Sequence, residues 1–265
     1  MVRRALGNHH VGPDTLLVTS DLGKTEPVAD ATESRAELIA LVRGARHVLF
    51  DFDGPICRLF AGRPARNIAR QQVSWLERQG LGHALTDAER RDPDPHNALR
   101  SLGQQRPASD LVAEMEKRLT EEELRAVATA WPTPFADPLI RTWSAMGVRL
   151  AIATNNSPEV ARLYLEGRGI SACFEPHLYG RTQDLTLLKP DPYCLNRALN
   201  ALGASPATAL MIGDTASDLL AARAAGVAFL GYARNETKRG ELEGAGAAHV
   251  VGSLGEVLTI LLERC

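Results

Sequence analysis

The chain has 265 residues, 45% of them hydrophobic and 23% charged, which is enough for one large domain or two smaller ones with a hydrophobic core. The formal net charge is only -2, so no basic field predicts binding to nucleic acid or to an anionic membrane surface. No apolar run reaches the roughly 18 residues of a transmembrane helix, and none near the N-terminus is typical of a signal peptide.

The 4 cysteines and 7 histidines are scattered along the chain. Cys57, Cys173, Cys194 and Cys265 form no CxxC pair and no Cys/His spacing typical of a zinc site. A reducing, cytoplasmic setting is therefore the simplest interpretation.

Residues 1–33 are polar, and Gly, Pro, Asp and Thr interrupt every potential helix or strand, so we expect a flexible N-terminal tail. Ser34 is a suitable N-cap for a helix whose apolar face includes Leu38 and Leu41. The apolar run that follows predicts a strand over 47–52.

Residues 58–136 have helical periodicity, several prolines and no convincing strand, which predicts an all-helical insertion. Further strands are predicted at 148–153, 174–179, 209–212, 227–230 and 249–251, and helices at 158–168, 192–202, 215–225 and 254–263. Apolar strands separated by helices predict an α/β fold, with a Rossmann-like parallel sheet covered by helices on both faces. The core domain would be discontinuous, comprising residues 34–57 and 137–265.

Asp51 and Asp53 lie at the end of the first strand and leave it toward the same side, because side chains alternate along a strand. Two carboxylates aimed at one point repel each other unless a cation neutralises them or one carries a proton. A hard metal such as Mg²⁺, which takes oxygen ligands, would satisfy them. The alternative is an ordinary turn at Asp53-Gly54.

Two further apolar runs end in polar residues, one at Thr154 and Asn155 and the other at Asp214. In parallel sheets, ligands bind beyond the carboxyl ends of the strands, so neighbouring strands would bring these groups into one crevice. A carboxylate nucleophile, a hydroxyl, an ammonium group and further acids at a metal site suit phosphoryl transfer.

Four motifs in order resemble those of the haloacid dehalogenase superfamily, specifically its phosphatases with a helical cap after the first motif, similar to phosphoglycolate phosphatases and β-phosphoglucomutases. The DxDG motif is matched by residues 51–54, and the threonine that ends a strand by Thr154. The lysine before a proline is matched by Lys189, and GDxxxD by residues 213–218. The resemblance implies that residues 58–136 are a cap domain.

The resemblance also implies roles for the acids of this site. Asp51 would be the nucleophile that takes up the phosphoryl group and a ligand of Mg²⁺. Asp53 would be the general acid and then the base, with its backbone carbonyl on the metal. Asp214 would be the remaining protein ligand to Mg²⁺, and Asp218 a supporting residue.

Thr154 and Lys189 are implied to be catalytic residues that also bind the substrate, with Asn155 beside them in the binding site. Each has a structural alternative: Thr154 may cap a turn, and Lys189 may be an exposed loop residue. Asp218 may only favour the dipole of a helix that begins after Thr215. The polar segment 180–184 either lines the site or is a surface loop.

These features predict a Mg²⁺-dependent phosphomonoester hydrolase that acts through an aspartyl-phosphate on a small phosphorylated metabolite, as a monomer or homodimer without nucleic-acid or membrane partners. The presence of Asp53 argues against dehalogenation, because a halide leaving group needs no proton. A phosphosugar mutase of the same fold and a non-catalytic protein that binds a partner are the alternatives.

Overall fold

The computed structural model of the protein describes residues 28–263. Residues 1–27, which make up most of the expected tail, lie outside the described residues, and so does Cys265. The first helix begins at Val28, before the predicted N-cap at Ser34. Residues 32–37 of this helix are exposed, so this part of the sequence has no apolar stripe that would predict a helix.

A six-stranded parallel sheet forms the core, in the order β5-β4-β1-β6-β7-β8. Every predicted strand is present, although most are shorter than expected. The strands are β1 (His47–Phe50), β4 (Arg149–Ala153), β5 (Leu178–Tyr179), β6 (Ala209–Gly213), β7 (Ala228–Tyr232) and β8 (Val250–Val251), and a separate ribbon pairs β2 (Cys57–Arg58) with β3 (Trp131–Pro132). Because β1 lies between β4 and β6, Phe50 is in register with both Ile152 and Ile212.

Helices flank the sheet and form the insertion. They are α1 (Val28–Gly44), α2 (Ala65–Arg78), α3 (Asp87–Arg91), α4 (Pro95–Gln105), α5 (Asp110–Val127), α6 (Ala136–Ala145), α7 (Pro158–Arg168), α8 (Tyr193–Leu202), α9 (Ala216–Ala224), α10 (Glu236–Gly244) and α11 (Leu254–Leu262). None of these helices is long and apolar enough to span a membrane.

Two of these helices, α6 and α10, were not predicted. Helix α6 contains Pro138 in its first turn, where a proline is tolerated because its missing N–H would have no intrahelical partner. Helix α10 buries only Leu242, so it has no apolar periodicity to detect.

Side chains of the central strands alternate between two apolar layers, which confirms that helices cover both faces. Phe50 packs edge-to-face on Trp143 of α6, with ring centroids 5.9 Å apart, in the layer formed with α1, α7 and α11. Leu49 points to the opposite layer, which includes Leu195 of α8 and Leu219 of α9.

The insertion, called the cap below, has its own apolar core, in which Leu99, Met115 and Leu119 are fully buried. Leu185 and Leu188 of the core domain join this cluster, so the cap packs directly on the loop before Lys189. The expectation that residues 58–136 are all helical is wrong at the base of the cap, where β2 and β3 pair antiparallel. The segment that enters the cap and the segment that leaves it run side by side there. Strands of only two residues are too short to show a periodicity in the sequence.

We predict that Trp143→Ala lowers the free energy of unfolding by about 3–5 kcal/mol, because it leaves a cavity beside Phe50. Denaturant unfolding monitored by circular dichroism measures the change. Met146→Ala, just after α6, is the matched control because Met146 is 58% exposed. An equal loss in both variants would contradict the placement of Trp143 in the core.

Candidate active site

The three polar strand ends predicted to converge lie side by side at the carboxyl edge of the sheet. Asp51 follows β1, Thr154 follows β4 and Asp214 follows β6. Since β1 is hydrogen-bonded to both neighbours, its acids lie at the centre of this edge.

Lys189 reaches this edge from a loop, and its side chain is buried. Its Nζ donates to Oδ1 of Asp51 at 2.8 Å, to Oδ1 of Asp218 at 2.5 Å and to the carbonyl of Ala153 at 2.9 Å. Burial alone lowers the pKa of Lys189, but the carboxylates of Asp218 and Asp51 raise it above its ordinary value. The interpretation of Lys189 as an exposed loop residue is therefore wrong.

Asp214 completes a group of buried carboxylates suited to a divalent cation. One carboxylate oxygen each from Asp51, Asp214 and Asp218 lies within 4.8 Å of the others. Asp214 Oδ1 is buried and has no hydrogen-bond partner among the described residues. Burial raises the pKa of Asp214 to about 8; nearby Lys238 opposes this shift, and the acids at 51, 218 and 53 add to it. An oxygen-ligated cation such as Mg²⁺ fits this donor set, because it would neutralise the charges and supply the missing partner.

Gly54 allows the close approach that this group requires. A Cβ atom at this position would lie 2.5 Å from Cγ of Asp214, and the backbone φ of +125° disfavours any L side chain. The glycine of the first motif is therefore needed both for the turn and for the space beside Asp214.

Asp53 is not part of the group formed by Asp51, Asp214 and Asp218. Its Oδ1 accepts a hydrogen bond from the Leu59 N–H at 2.8 Å, and burial raises its pKa to about 6. The side chain lines the same cavity as Asp51. Its role as the acid–base group stays a prediction. That Asp53 contributes a metal ligand through its backbone carbonyl stays a prediction.

Asp218 combines the two roles weighed for it. Its Oδ2 accepts from the Thr215 N–H at 3.1 Å and closes a capping box at the start of α9, while Oδ1 binds Lys189. The helix cap therefore orients an acid of the active site.

The second motif forms a tight turn after β4. Thr154 Oγ1 donates to Asn156 Oδ1 at 3.1 Å and accepts from the Asn156 N–H at 3.2 Å. Asn155 pairs with the backbone of Lys189: its Oδ1 accepts from the Lys189 N–H at 2.8 Å and its Nδ2 donates to the Lys189 carbonyl at 3.2 Å. Thr154 therefore makes the contacts expected of a residue that caps a turn. Asn155 connects the second motif to the third.

A cavity of about 330 Å³ lies between this edge of the sheet and the cap. The core domain supplies Asp51, Asp53, Asn155, Asn156 and Lys189 to its wall, and the cap supplies Phe60, Ala65, Asp94 and His96. Arg234 and Lys238, which follow β7, complete one side. No motif marked His96, Arg234 or Lys238, because their proximity to the acids arises only from the folding of the cap and of the loop after β7.

Residues 45–226 match the model of the haloacid dehalogenase-like hydrolase family. The chain belongs to that family. A phosphoglycolate phosphatase of Rhodospirillum rubrum is 29% identical over 196 residues, which cover 71% of this chain and 80% of the relative. A pyrophosphatase of Halalkalibacterium halodurans is 35% identical, over 36% of this chain and 44% of its own length.

Solved structures show the same fold. A predicted phosphatase from Clostridium acetobutylicum aligns with a TM-score of 0.60 at 19% identity, covering 83% of this chain and 99% of that structure. These matches confirm the predicted α/β fold, and the named relatives confirm the prediction of a phosphatase of the haloacid dehalogenase-like family.

In this family member, a second buried ionic group joins the cap to the core domain. Glu123 of α5 is fully buried and pairs with Arg181 and with His96 of α4. Arg181 belongs to the polar segment 180–184, which the sequence predicts either to line the site or to be a surface loop. Its guanidinium is buried against the cap, so for Arg181 the surface-loop interpretation is wrong.

His96 carries its charge within this group. Burial alone lowers its pKa, but Asp94, whose Oδ1 lies 2.9 Å from Nδ1, and Glu123, whose Oε1 lies 3.1 Å from Nε2, raise it to about 9. The folded-state pKa therefore lies above the ordinary value of 6.5.

We predict that the stability contributed by the His96 charge is fully present below pH 6.5 and is lost as the pH rises through about 9. The difference in unfolding free energy between wild type and His96→Gln should therefore shrink, by on the order of 2 kcal/mol, between pH 6 and pH 9.5. Urea unfolding at both pH values measures it. The exposed His83→Gln is the control, and a difference for His96→Gln that is independent of pH would contradict the prediction.

Proposed function

We propose that this protein is a Mg²⁺-dependent phosphomonoester hydrolase that acts through an aspartyl-phosphate intermediate on a small phosphorylated metabolite. The observation that carries the proposal is the position of Asp51. Its carboxylate is buried and bound through Oδ1 to Lys189, and it belongs to the same carboxylate group as Asp214, one oxygen of which has no partner among the described residues. Such an arrangement suits a nucleophile whose target carries negative charge.

In the first step, the Asp51 oxygen that is not bound to Lys189 attacks phosphorus, and the bond from phosphorus to the leaving oxygen breaks as the new one forms. Asp53 donates a proton to the leaving alcohol. In the second step Asp53 takes a proton from water, whose oxygen attacks phosphorus, and the Asp51 carboxylate and inorganic phosphate are released. Lys189 offsets the negative charge of the reacting groups throughout.

Asp51 and Asp214 would hold Mg²⁺ through their side chains, with the backbone carbonyl of Asp53 as a third protein ligand. When bound, the ion would reduce the repulsion between the nucleophile and the phosphate and polarise the phosphoryl oxygens. The ion would lie at the group formed by Asp51, Asp214 and Asp218, in which Oδ1 of Asp214 is buried and has no hydrogen-bond partner among the described residues.

A cavity of about 330 Å³ supports a small substrate rather than a polymer. The relatives named above, a phosphoglycolate phosphatase and a pyrophosphatase, also support a phosphorylated small molecule. A cytoplasmic location stays a prediction; it is supported by the free thiols of Cys57, Cys173 and Cys194. The monomeric or homodimeric state also stays a prediction.

We predict that Asp51→Asn lowers phosphate release by about 10³-fold or more, because an amide cannot act as the nucleophile. The measurement is release of inorganic phosphate from a panel of small phosphate esters, with product analysis to separate hydrolysis from mutase activity. Asp137→Asn is the matched control, because Asp137 pairs with Arg168 and neither residue lines the cavity. Wild-type activity in Asp51→Asn would refute the nucleophile assignment.

We predict that Mg²⁺ raises the melting temperature of the wild type but not of Asp214→Asn. Saturation to 100 times Kd stabilises a protein by about 2.7 kcal/mol, which for a protein of this size amounts to a few degrees. Differential scanning fluorimetry in EDTA and in excess Mg²⁺ measures the shift. Equal shifts in both proteins would show that the ion binds elsewhere.

A further inference from the structure

Glu123 is a cap residue, yet its carboxylate contacts the core domain on both oxygens. Oε1 accepts from Asn156 Nδ2 at 2.9 Å, and Oε2 accepts from the Ser157 N–H at 3.2 Å. Both donors belong to the turn after β4 that contains Thr154. Glu123 therefore links the cap to this turn by accepting hydrogen bonds from it.

The contact with Glu123 determines how the Asn156 side chain is oriented. A carboxylate only accepts hydrogen bonds, so the NH₂ group of Asn156 must face Glu123 and the amide oxygen must face away from it. That oxygen is the acceptor for the Thr154 hydroxyl, at 3.1 Å. A chain of two hydrogen bonds therefore runs from the cap to the hydroxyl of the second motif.

We propose that Glu123 is a positioning residue, which acts through Asn156 to orient the Thr154 turn for phosphoryl binding when the cap lies against the core. This inference rests on the proposed function, because a phosphoryl-binding role for the turn requires a phosphate ester as the substrate. It adds a specific link between cap position and the geometry of the site.

Arg181 explains how the Glu123 charge is tolerated without water. Its Nη1 and Nη2 donate to the two oxygens of Glu123, at 2.9 and 3.0 Å. The rest of the guanidinium binds α5 as well, since Nε donates to Glu116 at 3.0 Å and Nη2 to Thr120 at 2.7 Å. Separation of α5 from the core would leave buried charges without partners, so the charge pair and the turn contact form together.

Two glutamates of α5 bind Arg181, but only one reaches the turn. Glu116 contacts the Arg181 Nε and contacts neither Asn156 nor Ser157, whereas Glu123 contacts all three residues. Glu116→Gln is therefore a matched control for Glu123→Gln. Both variants remove one carboxylate partner of Arg181, and only the second alters the turn and the pair with His96; Asn156→Ala, which leaves that pair in place, separates these two effects.

The physical effect of Glu123→Gln follows from its two acceptor oxygens. Whichever way the new amide is turned, its NH₂ group faces either Asn156 Nδ2 or the Ser157 N–H, and that donor loses its acceptor. Displacement of a positioning group can reduce turnover by about 10- to 100-fold, so we expect a loss of that size in kcat with a smaller change in KM. We expect Glu116→Gln to stay within about 2-fold of the wild type in both constants.

The experiment measures kcat and KM of both variants on the best ester of the panel, with melting temperatures as a check of folding. In the background of Thr154→Val, Glu123→Gln should cause no further loss, because the two residues act through the same hydrogen-bonded chain. Equal kcat losses in Glu116→Gln and Glu123→Gln, or full additivity with Thr154→Val, would overturn the inference.

Asn156→Ala is the second variant, for use where Glu123→Gln does not fold. It cuts the chain but leaves the pair between Glu123 and Arg181 intact, and it should show a similar loss in kcat. If folded Asn156→Ala has the kcat of the wild type, the inference is overturned and the proposed function is unaffected. A wild-type protein that hydrolyses no ester of the panel would refute the proposed function and the inference with it, so the two failures are distinguishable.

Discussion

The candidate active site depends on the ammonium group of Lys189, which lies between carboxylates that would otherwise repel each other. Asp51 and Asp218 are both buried, and both contact this one cation. The same nitrogen donates to the carbonyl of Ala153 at the end of β4. One positive charge therefore holds the first, second and fourth motifs together, and the fold around it keeps that charge away from water.

Lys189 does not balance all of the negative charge. Asp214 Oδ1 remains without a partner among residues 28–263, and burial raises the pKa of this carboxyl. A buried acid without a partner is costly for a folded protein, and a divalent cation bound here would offset that cost.

The cap contacts the loops of two motifs as well as covering the cavity. Glu123 of α5 binds the turn that contains Thr154, and Arg100 of α4 donates to the carbonyl of Lys189 at 2.6 Å. Both contacts lie near the catalytic groups, so the position of the cap affects their geometry directly. Sealing the cavity and arranging the phosphoryl-binding groups would then be one event rather than two.

The α/β fold could be predicted from the residue pattern alone, and so could the acids that follow the strands at one edge of the sheet. The bounds of the cap and the catalytic roles of the acids stay predictions. Strand ends can be recognised locally, and parallel pairing brings them to a common edge. The short ribbon at the base of the cap and helix α10 escaped prediction because they have too few buried residues to show a period.

The contacts of Glu123, Arg181 and His96 become visible only in the folded protein. Each is a single charged residue in a polar or amphipathic stretch, and nothing local distinguishes it from a solvated one. Their burial arises because the cap folds back onto the turn after β4, which brings Glu123 and Arg181, far apart in the chain, within 2.9 Å. Contacts of this kind depend on how two domains pack, and a pattern of neighbouring residues carries no information about that packing.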